Sequence, residues 1–283
     1  MVREKYLNQK DNPNTTPHSK SSVAYYDDNQ FDYRDYWRGR EYEHLSEKIA
    51  LDKLFEEIGK DRLGKASVLE IGAGFGRVSK FYLNKVKNAL LLEPSEKLIS
   101  QGEEYLKDYA NFKYEKADAA SIVSLNKRFD LVIMVRVLHH LDNPGRLFRD
   151  VNQSLSPQGY FILEMPNKKN FKYMLSNILK LNLSALFDDS RMDIRSSEKK
   201  NNKYIQFYNY SYTQISRELK ENDYKIVKRL SVSNFRLRLL KKLLPLPTLL
   251  KIESSMQTIL SHFNFAPSLF ILTRRIPYSK LDG

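Results

Sequence analysis

The stretch "VLEIGAGFGR" (Val68 to Arg77) decides how this chain is read. An apolar run delivers the backbone into glycines at 72, 74 and 76, and the residues that follow, "RVSKFYLNKV", are expected to form a helix. Glycines allow a sharp turn and close approach of a ligand to the backbone, and a helix N-terminus favours electron-rich groups. The dinucleotide fingerprint G-x-G-x-x-G would need glycine at position 77, where the chain has Arg77. A phosphate-binding Walker loop would need a following Gly-Lys-Ser/Thr, which is missing. The turn is left as a ligand cradle without a pyrophosphate site, or as a bare strand-to-helix turn.

Outward from this turn the pattern alternates. "SVLEIG" reads as a first strand, "NALLLE" as a second, "NFKYEKA" as a third, "FDLVIMV" as a fourth and "GYFILEM" as a fifth. Between them lie amphipathic helices, one opening at Ser95 as its cap and one spanning about 146 to 154. Short, nearly continuous apolar strands alternating with helices imply a parallel sheet covered on both faces, a doubly wound α/β fold. Regularity lapses after Met165 for about 45 residues. A helix with a capping box, Ser211 with Gln214, then leads to a sixth strand, "YKIVKRL", and the chain closes on a seventh, "SLFILTRR". Upstream, Leu45, Ile49, Leu51, Leu54, Phe55 and Ile58 recur at helical spacing, with Gly59 as the stop.

Two acids sharpen the ligand. Glu93 ends the second strand, where a carboxylate accepts both hydroxyls of a ribose. Asp118, after the third strand, is placed to receive an exocyclic amine. Together they describe a pocket for an adenosine. Here the chain resembles the class I S-adenosylmethionine-dependent methyltransferases of small-molecule type. "VLEIGAGFGR" is similar to their first motif, Glu93 to their ribose-binding acid, and "ADAA" (Ala117 to Ala120) to their adenine segment. "FDLVIMVRVLHHLDNP" and "LSPQGYFILEMPN" resemble their fourth and fifth strands. The resemblance covers about residues 64 to 167, with a looser match over the last two strands. It implies a Rossmann-like seven-stranded sheet, ordered 3-2-1-4-5-7-6 with strand seven antiparallel, and S-adenosylmethionine as cofactor. It further implies that Gly72 and Gly74 line the methionine portion, that Glu70 helps orient it and that Asp118 meets adenine, with Ala73, Gly76 and Ala119 as further cofactor-binding residues.

Composition bounds the chemistry. The 283 residues include no cysteine, which removes disulfides, thiolate metal sites and the cysteine route to methylation at carbon-5 of pyrimidines. The Asn/Asp-Pro-Pro-aromatic signature for exocyclic base amines is also missing, because "MVRVLHH" stands in its place. No metal is expected. The polar N-terminus carries no apolar signal core, and the longest uncharged apolar run near the C-terminus, "LLPLPTLL", is far short of a membrane span. The expected location is cytoplasmic, with peripheral membrane association as its extension.

Charge is unevenly spread. Of 47 basic and 34 acidic residues, 22 and 9 lie in the last 117, so the whole net charge of +13 resides there. Two basic insertions account for much of it, residues 167–210 after strand five and 230–266 after strand six. Both are expected to leave the carboxyl edge of the sheet and build the substrate entrance. "FRLRLLKKLLPLPTLLKI" has the composition of a basic amphipathic segment at a membrane interface, and equally of a helical lid over the core. The chain divides into a disordered tail (1–24), an aromatic lid with the first helix (25–60), the cofactor-binding core (61–166) and a C-terminal completion of the sheet (167–283).

Candidate catalytic groups follow the fourth strand, where open α/β sheets place their ligands. His139 and His140 are the candidates for a general base, and the alternative is a helix-entry turn in which one packs and the other lies near the cofactor. Arg136 and Trp37 are candidates to face substrate. Tyr36 and Arg40 are candidates to close over the cofactor and hold its carboxylate. The leading expectation is methyl transfer to a small or lipid-linked, anionic acceptor at or near a membrane surface. An RNA methyltransferase and a non-catalytic cofactor-binding partner protein are the alternatives.

Overall fold

A computed structural model describes Asp27 and residues 32–195 and 206–276. The tail expected at 1–24 lies outside the described residues. The strands are β1 (Ser67–Ile71), β2 (Asn88–Leu92), β3 (Phe112–Glu115), β4 (Phe129–Met134), β5 (Leu155–Pro166), β6 (Met192–Arg195), β7 (Gln206–Asn209), β8 (Tyr224–Val232) and β9 (Ser268–Arg275). Seven form one sheet in the order β3-β2-β1-β4-β5-β9-β8, and β9 runs antiparallel to both of its neighbours. This is the expected order, with β8 and β9 as the sixth and seventh strands of the sequence reading.

Alternation along the strands sorts the core. Val68, Leu131, Ile133, Ile162 and Phe270 point to one face, where they meet Leu51, Leu54 and Phe55 of α1 (Glu41–Ile58). Leu69, Ile71, Val132, Met134 and Phe161 point to the other, against α3 (Pro144–Ser154) and α5 (Tyr212–Glu221). The expected stops and caps are present: Gly59 ends α1 at φ 92°, and Ser95 Oγ accepts from the Leu98 N–H to open α2 (Glu96–Tyr105). Ser211 Oγ accepts from the Gln214 N–H, but Gln214 Oε1 is buried without a hydrogen-bond partner, so the capping box is half made.

Two local expectations are corrected. Residues 77–86 form 3-10 turns at Ser79–Phe81 and Leu83–Lys85 instead of a regular helix. Ser79 and Tyr82, three apart, both turn their hydroxyls to Glu70, and the 3-10 period is the one that puts i and i+3 on the same line. The irregular stretch after Met165 contains α4 (Phe171–Leu179), capped by Asn170, and the antiparallel pair β6–β7.

Register shows where the insertions start. Pro166 at the end of β5 and Val232 at the end of β8 both pair with Ser268, so both insertions leave the carboxyl edge. The second carries α6 (Arg238–Leu243) and α7 (Leu246–Ser261). It does not line the cavity described below. Glu253 of α7, fully buried, accepts from Tyr42 Oη (2.6 Å) and the Ser233 and Asn234 N–H groups (2.9 and 3.0 Å), which ties α7 to α1 and β8. Among the described residues no helix is long and apolar enough to cross a membrane.

Candidate active site

A cavity of about 520 Å³ opens at the carboxyl ends of β1, β2 and β4, a volume in the range of small-molecule sites. Its floor is the glycine turn. The Gly72 and Ala73 N–H groups both donate to the Leu92 carbonyl (2.9 and 3.0 Å), joining the turn to β2. Gly72 adopts φ 67°, and a Cβ there would stand 2.4 Å from Val137 Cγ2, so glycine is required. Gly76 does not line the cavity, contrary to expectation. A Cβ at that position would meet Leu106 and Tyr114, so this glycine serves packing.

Two buried carboxyls stand in the wall. Glu93 accepts the Gly74 N–H on Oε2 (2.8 Å) and the Ser95 N–H on Oε1 (3.0 Å). Glu70 accepts from Ser79 Oγ (2.6 Å) and Tyr82 Oη (2.7 Å). Burial pushes each of them up to about 7. Each oxygen of Glu93 holds one backbone donor and keeps capacity for another. Farther along, Asp118 Oδ1 accepts from the Ala120 N–H (3.0 Å) and Ser121 Oγ (3.1 Å), and the apolar Ala117, Ala119, Leu98 and Leu147 also line the cavity.

At the opposite end a cation cluster closes the site. Arg136 lines the cavity at φ 63°, and its own N–H donates to Glu164 Oε2 (2.9 Å). Its guanidinium donates to Tyr36 Oη (2.7 Å) and to Glu47 Oε1 (3.2 Å). The second oxygen of Glu47 takes Arg77 (2.6 Å), which lies 3.6 Å from the centre of the Trp37 ring. Tyr36 and Trp37 therefore grip arginines instead of lining the cavity themselves. Arg40, exposed, packs over the outer side of Tyr36 (3.9 Å) and lies away from the cavity, so it does not hold a ligand there as expected. Tyr33 supplies the aromatic wall in their place. The sequence reading missed Glu47, Glu164 and Tyr33. Glu47 sits on the buried stripe of α1 among apolar positions, and that was the available signal.

The histidines divide. His140 lines the cavity and His139 does not. Their rings lie 4.1 Å apart, and Phe207 of β7 packs at 5.2 and 5.3 Å from the two, bringing the first insertion to the site. Burial, with His140 and Arg136 nearby, holds His139 well below the usual range, and burial lowers His140 to about 4. Both imidazoles are neutral at physiological pH.

A family model described as a methyltransferase domain matches residues 36–229. Among curated proteins the chain is similar to a ubiquinone biosynthesis O-methyltransferase of Rickettsia conorii, 23% identical over 136 residues, covering 48% of this chain and 46% of that protein. The Rickettsia canadensis protein of the same name is also 23% identical, over 48% of this chain and 58% of that one. The chain spans about half the length of the curated relatives it matches. Among solved structures it is similar to a putative S-adenosylmethionine-dependent methyltransferase from Listeria monocytogenes (TM-score 0.58, 16% identity, 83% of this chain and 98% of that one). It is also similar to the Burkholderia thailandensis 1,6-didemethyltoxoflavin-N1-methyltransferase with bound 1,6-didemethyltoxoflavin and S-adenosylhomocysteine (TM-score 0.58, 14% identity, 95% and 94% coverage). At these identities the structures show a shared fold.

Proposed function

The chain belongs to the methyltransferase-domain family, the class I S-adenosylmethionine-dependent enzymes, and from that premise we propose that it methylates a small, anionic or lipid-linked acceptor. This reading is supported by one cavity lined by a ribose-type acid, Glu93, after β2 and by Arg136 after β4, on either side of the glycine turn that follows β1. The residues present suit the cofactor. Glu93 has an unused acceptor site on each oxygen for ribose hydroxyls, Asp118 and Ala119 flank an adenine-sized apolar end, and Gly72, Ala73 and Gly74 give a floor without side-chain bulk. S-adenosylmethionine, when bound, supplies a methyl carbon on a sulfonium that a nucleophile displaces in line, leaving S-adenosylhomocysteine.

The protein's work is mainly positioning. Glu70 holds the segment after the glycine turn through Ser79 and Tyr82. Arg136 takes an anionic group, the acceptor's or the cofactor's carboxylate, since Glu47 is shared between Arg136 and Arg77 and Glu164 is engaged by the Arg136 N–H and Ser268 Oγ. His140, neutral, accepts a hydrogen bond from an acceptor hydroxyl and receives its proton as the new bond to the methyl carbon forms. The name of the Rickettsia relatives supports an oxygen acceptor on a small molecule. An RNA acceptor is less well supported: the first insertion interleaves lysines with aromatic rings in "NKKNFKYML", but the basic residues of the second alternate with leucines and not with rings on which bases stack.

Transfer of labelled methyl from S-adenosylmethionine to a panel of phenols and catechols with and without a carboxylate tests this reading. Turnover favouring the carboxylated members is expected, and absence of turnover across the panel together with absence of cofactor binding would overturn it. With a turned-over acceptor, His140→Asn is expected to lower kcat roughly 100-fold while leaving S-adenosylhomocysteine affinity unchanged. An unchanged kcat would remove His140 from the chemistry.

Cofactor affinity should depend on pH with a definite sign. Glu93 in the free protein titrates at about 7, and ribose hydroxyls donate to its ionised form. Affinity is therefore expected to rise as pH rises toward about 7 and to level above it, with proton release on binding below that point. Folding stability moves the other way. A carboxyl whose folded pKa exceeds the unfolded one stabilises the fold at low pH, and that contribution is lost as pH rises from the unfolded value to about 7. Glu93→Gln should thus bind S-adenosylhomocysteine more weakly at pH 8, and its stability relative to the parent should improve as pH rises through about 7, because only the parent loses the protonated-carboxyl contribution. Titrations from pH 5.5 to 8.5 and melting curves of both proteins check the two signs.

A further inference from the structure

We infer that the outward face of α4 and the loop after it form a docking surface for an anionic membrane, at the same edge of the sheet as the cavity. In α4, Phe171, Leu175, Ile178 and Leu179 fall at i, i+4, i+7 and i+8, the spacing of one helix face, and that face is turned to solvent. Leu179 is 75% exposed, and the loop continues the surface with Leu181 at 86% and Phe187 at 82%. A face so apolar normally packs on a core, and an exposed one marks an interaction site. The helix is held in place by its first residue: Phe171 stacks on Phe265 at 5.0 Å and its N–H donates to the Phe265 carbonyl (3.1 Å).

Charge selects the occupant. Between residues 167 and 187 there are four lysines and no acidic residue. Lys168 and Lys169 pair with Asp188 and Asp189, which neutralises the acids nearest the patch, and Lys172 and Lys180 are exposed beside the apolar face. A second copy docking face to face would set lysine against lysine with no acid to answer it. Anionic lipid answers both features, because apolar side chains enter the acyl boundary while ammonium groups meet the headgroups. The second insertion leaves the same edge and exposes Leu237, Leu239 and Leu243 among Arg236, Arg238 and Lys242, a second basic and apolar patch. The surface deepens the proposed function, on which it rests only for the claim that the cavity at this edge receives the acceptor: docking would turn the entrance toward a lipid-dissolved one.

The test is flotation of the full chain with phosphatidylcholine vesicles, with and without phosphatidylglycerol, with S-adenosylhomocysteine binding measured on the same samples. The intact chain is expected to float only with the anionic vesicles. The triple variant Leu175→Ser, Leu179→Ser, Phe187→Ser should lose roughly tenfold or more of the partitioning, and Lys172→Glu with Lys180→Glu should lose what high salt removes from the parent. All five side chains are exposed, so cofactor affinity should stay unchanged and reports that each variant is folded. Failure of the intact chain to float, with cofactor binding retained, overturns the docking surface and leaves the methyltransferase reading standing. So does a triple variant that floats like the parent, or an intact chain that is dimeric through this face without binding lipid. Flotation without cofactor binding would support the surface and overturn the proposed function instead.

Discussion

Replacing Glu47 with Ala is expected to cost about 3 to 5 kcal/mol of folding stability, the typical effect of removing one partner from a buried ion pair. Glu47 is 3% exposed and is the carboxylate between Arg77, itself 6% exposed, and Arg136. Without it neither guanidinium keeps a carboxylate at ion-pair distance among the described residues, since Glu164 is engaged by the Arg136 N–H and Ser268 Oγ. Water does not reach Arg77 well enough to compensate, because Trp37 covers its face and His44 stands at its edge, Nδ1 3.2 Å from Nη1. Burial and the Arg77 charge hold His44 below its usual range, so the ring stays neutral and Nδ1 acts as the acceptor of that contact. Glu47→Gln should recover part of the loss, since an amide oxygen still accepts one guanidinium donor. Urea unfolding of the three proteins measures this, and a loss below about 1 kcal/mol for the Ala variant would show that the cluster is solvated.

The second large effect is on binding. Gly74→Val is expected to weaken S-adenosylhomocysteine roughly 100-fold or more, equivalent to about 2.7 kcal/mol, while the protein still folds. Gly74 lines the cavity at φ 57°, and a Cβ there meets no protein atom within 4 Å. The added side chain therefore enters space the ligand needs, and strains a backbone whose N–H holds Glu93 and whose carbonyl holds Tyr114 Oη (3.0 Å). The left-handed conformation itself costs about 1 to 2 kcal/mol for a residue with a Cβ. Gly72→Val provides the contrast. Its side chain would run into Val137 within the protein, so stability should fall much further. Equal stability losses in the two variants would contradict the distinction between a cavity glycine with free space at its Cβ and one whose Cβ would meet Val137.

The strands and the two acids that line the cavity were legible in the sequence because both are local. The central strands β1, β2, β4 and β5 contain apolar runs bounded by turns, and Glu93 and Asp118 follow strands by one and three residues. The glycine turn was legible too, although the regular helix expected after it is replaced by 3-10 turns that aim Ser79 and Tyr82 at Glu70. What was not legible depends on partners far along the chain. Glu47 meets Arg77 and Arg136 across 30 and 89 positions, so no spacing rule announces the cluster. Arg40 and Tyr36 have the right chemistry for a ligand, and only the fold shows that Tyr36 is engaged by Arg40 and Arg136. Helix α4 carried a readable signal, Asn170 as cap before Phe171, Leu175, Ile178 and Leu179, yet its apolar face covers no core. The pair β6–β7 has strands of four residues separated by ten, too short and too far apart for a hairpin signature.

The central claim is that the cavity floored by the glycine turn and walled by Glu93 binds the adenosine cofactor. Calorimetric titration of S-adenosylhomocysteine into the full chain and into Glu93→Ala tests it most directly. Saturable binding at one site per chain is expected, weakened in the variant by about 1 to 3 kcal/mol, the loss of hydrogen bonds to a charged group. Absence of saturable binding in a folded sample, or an affinity unchanged by the substitution, would contradict it.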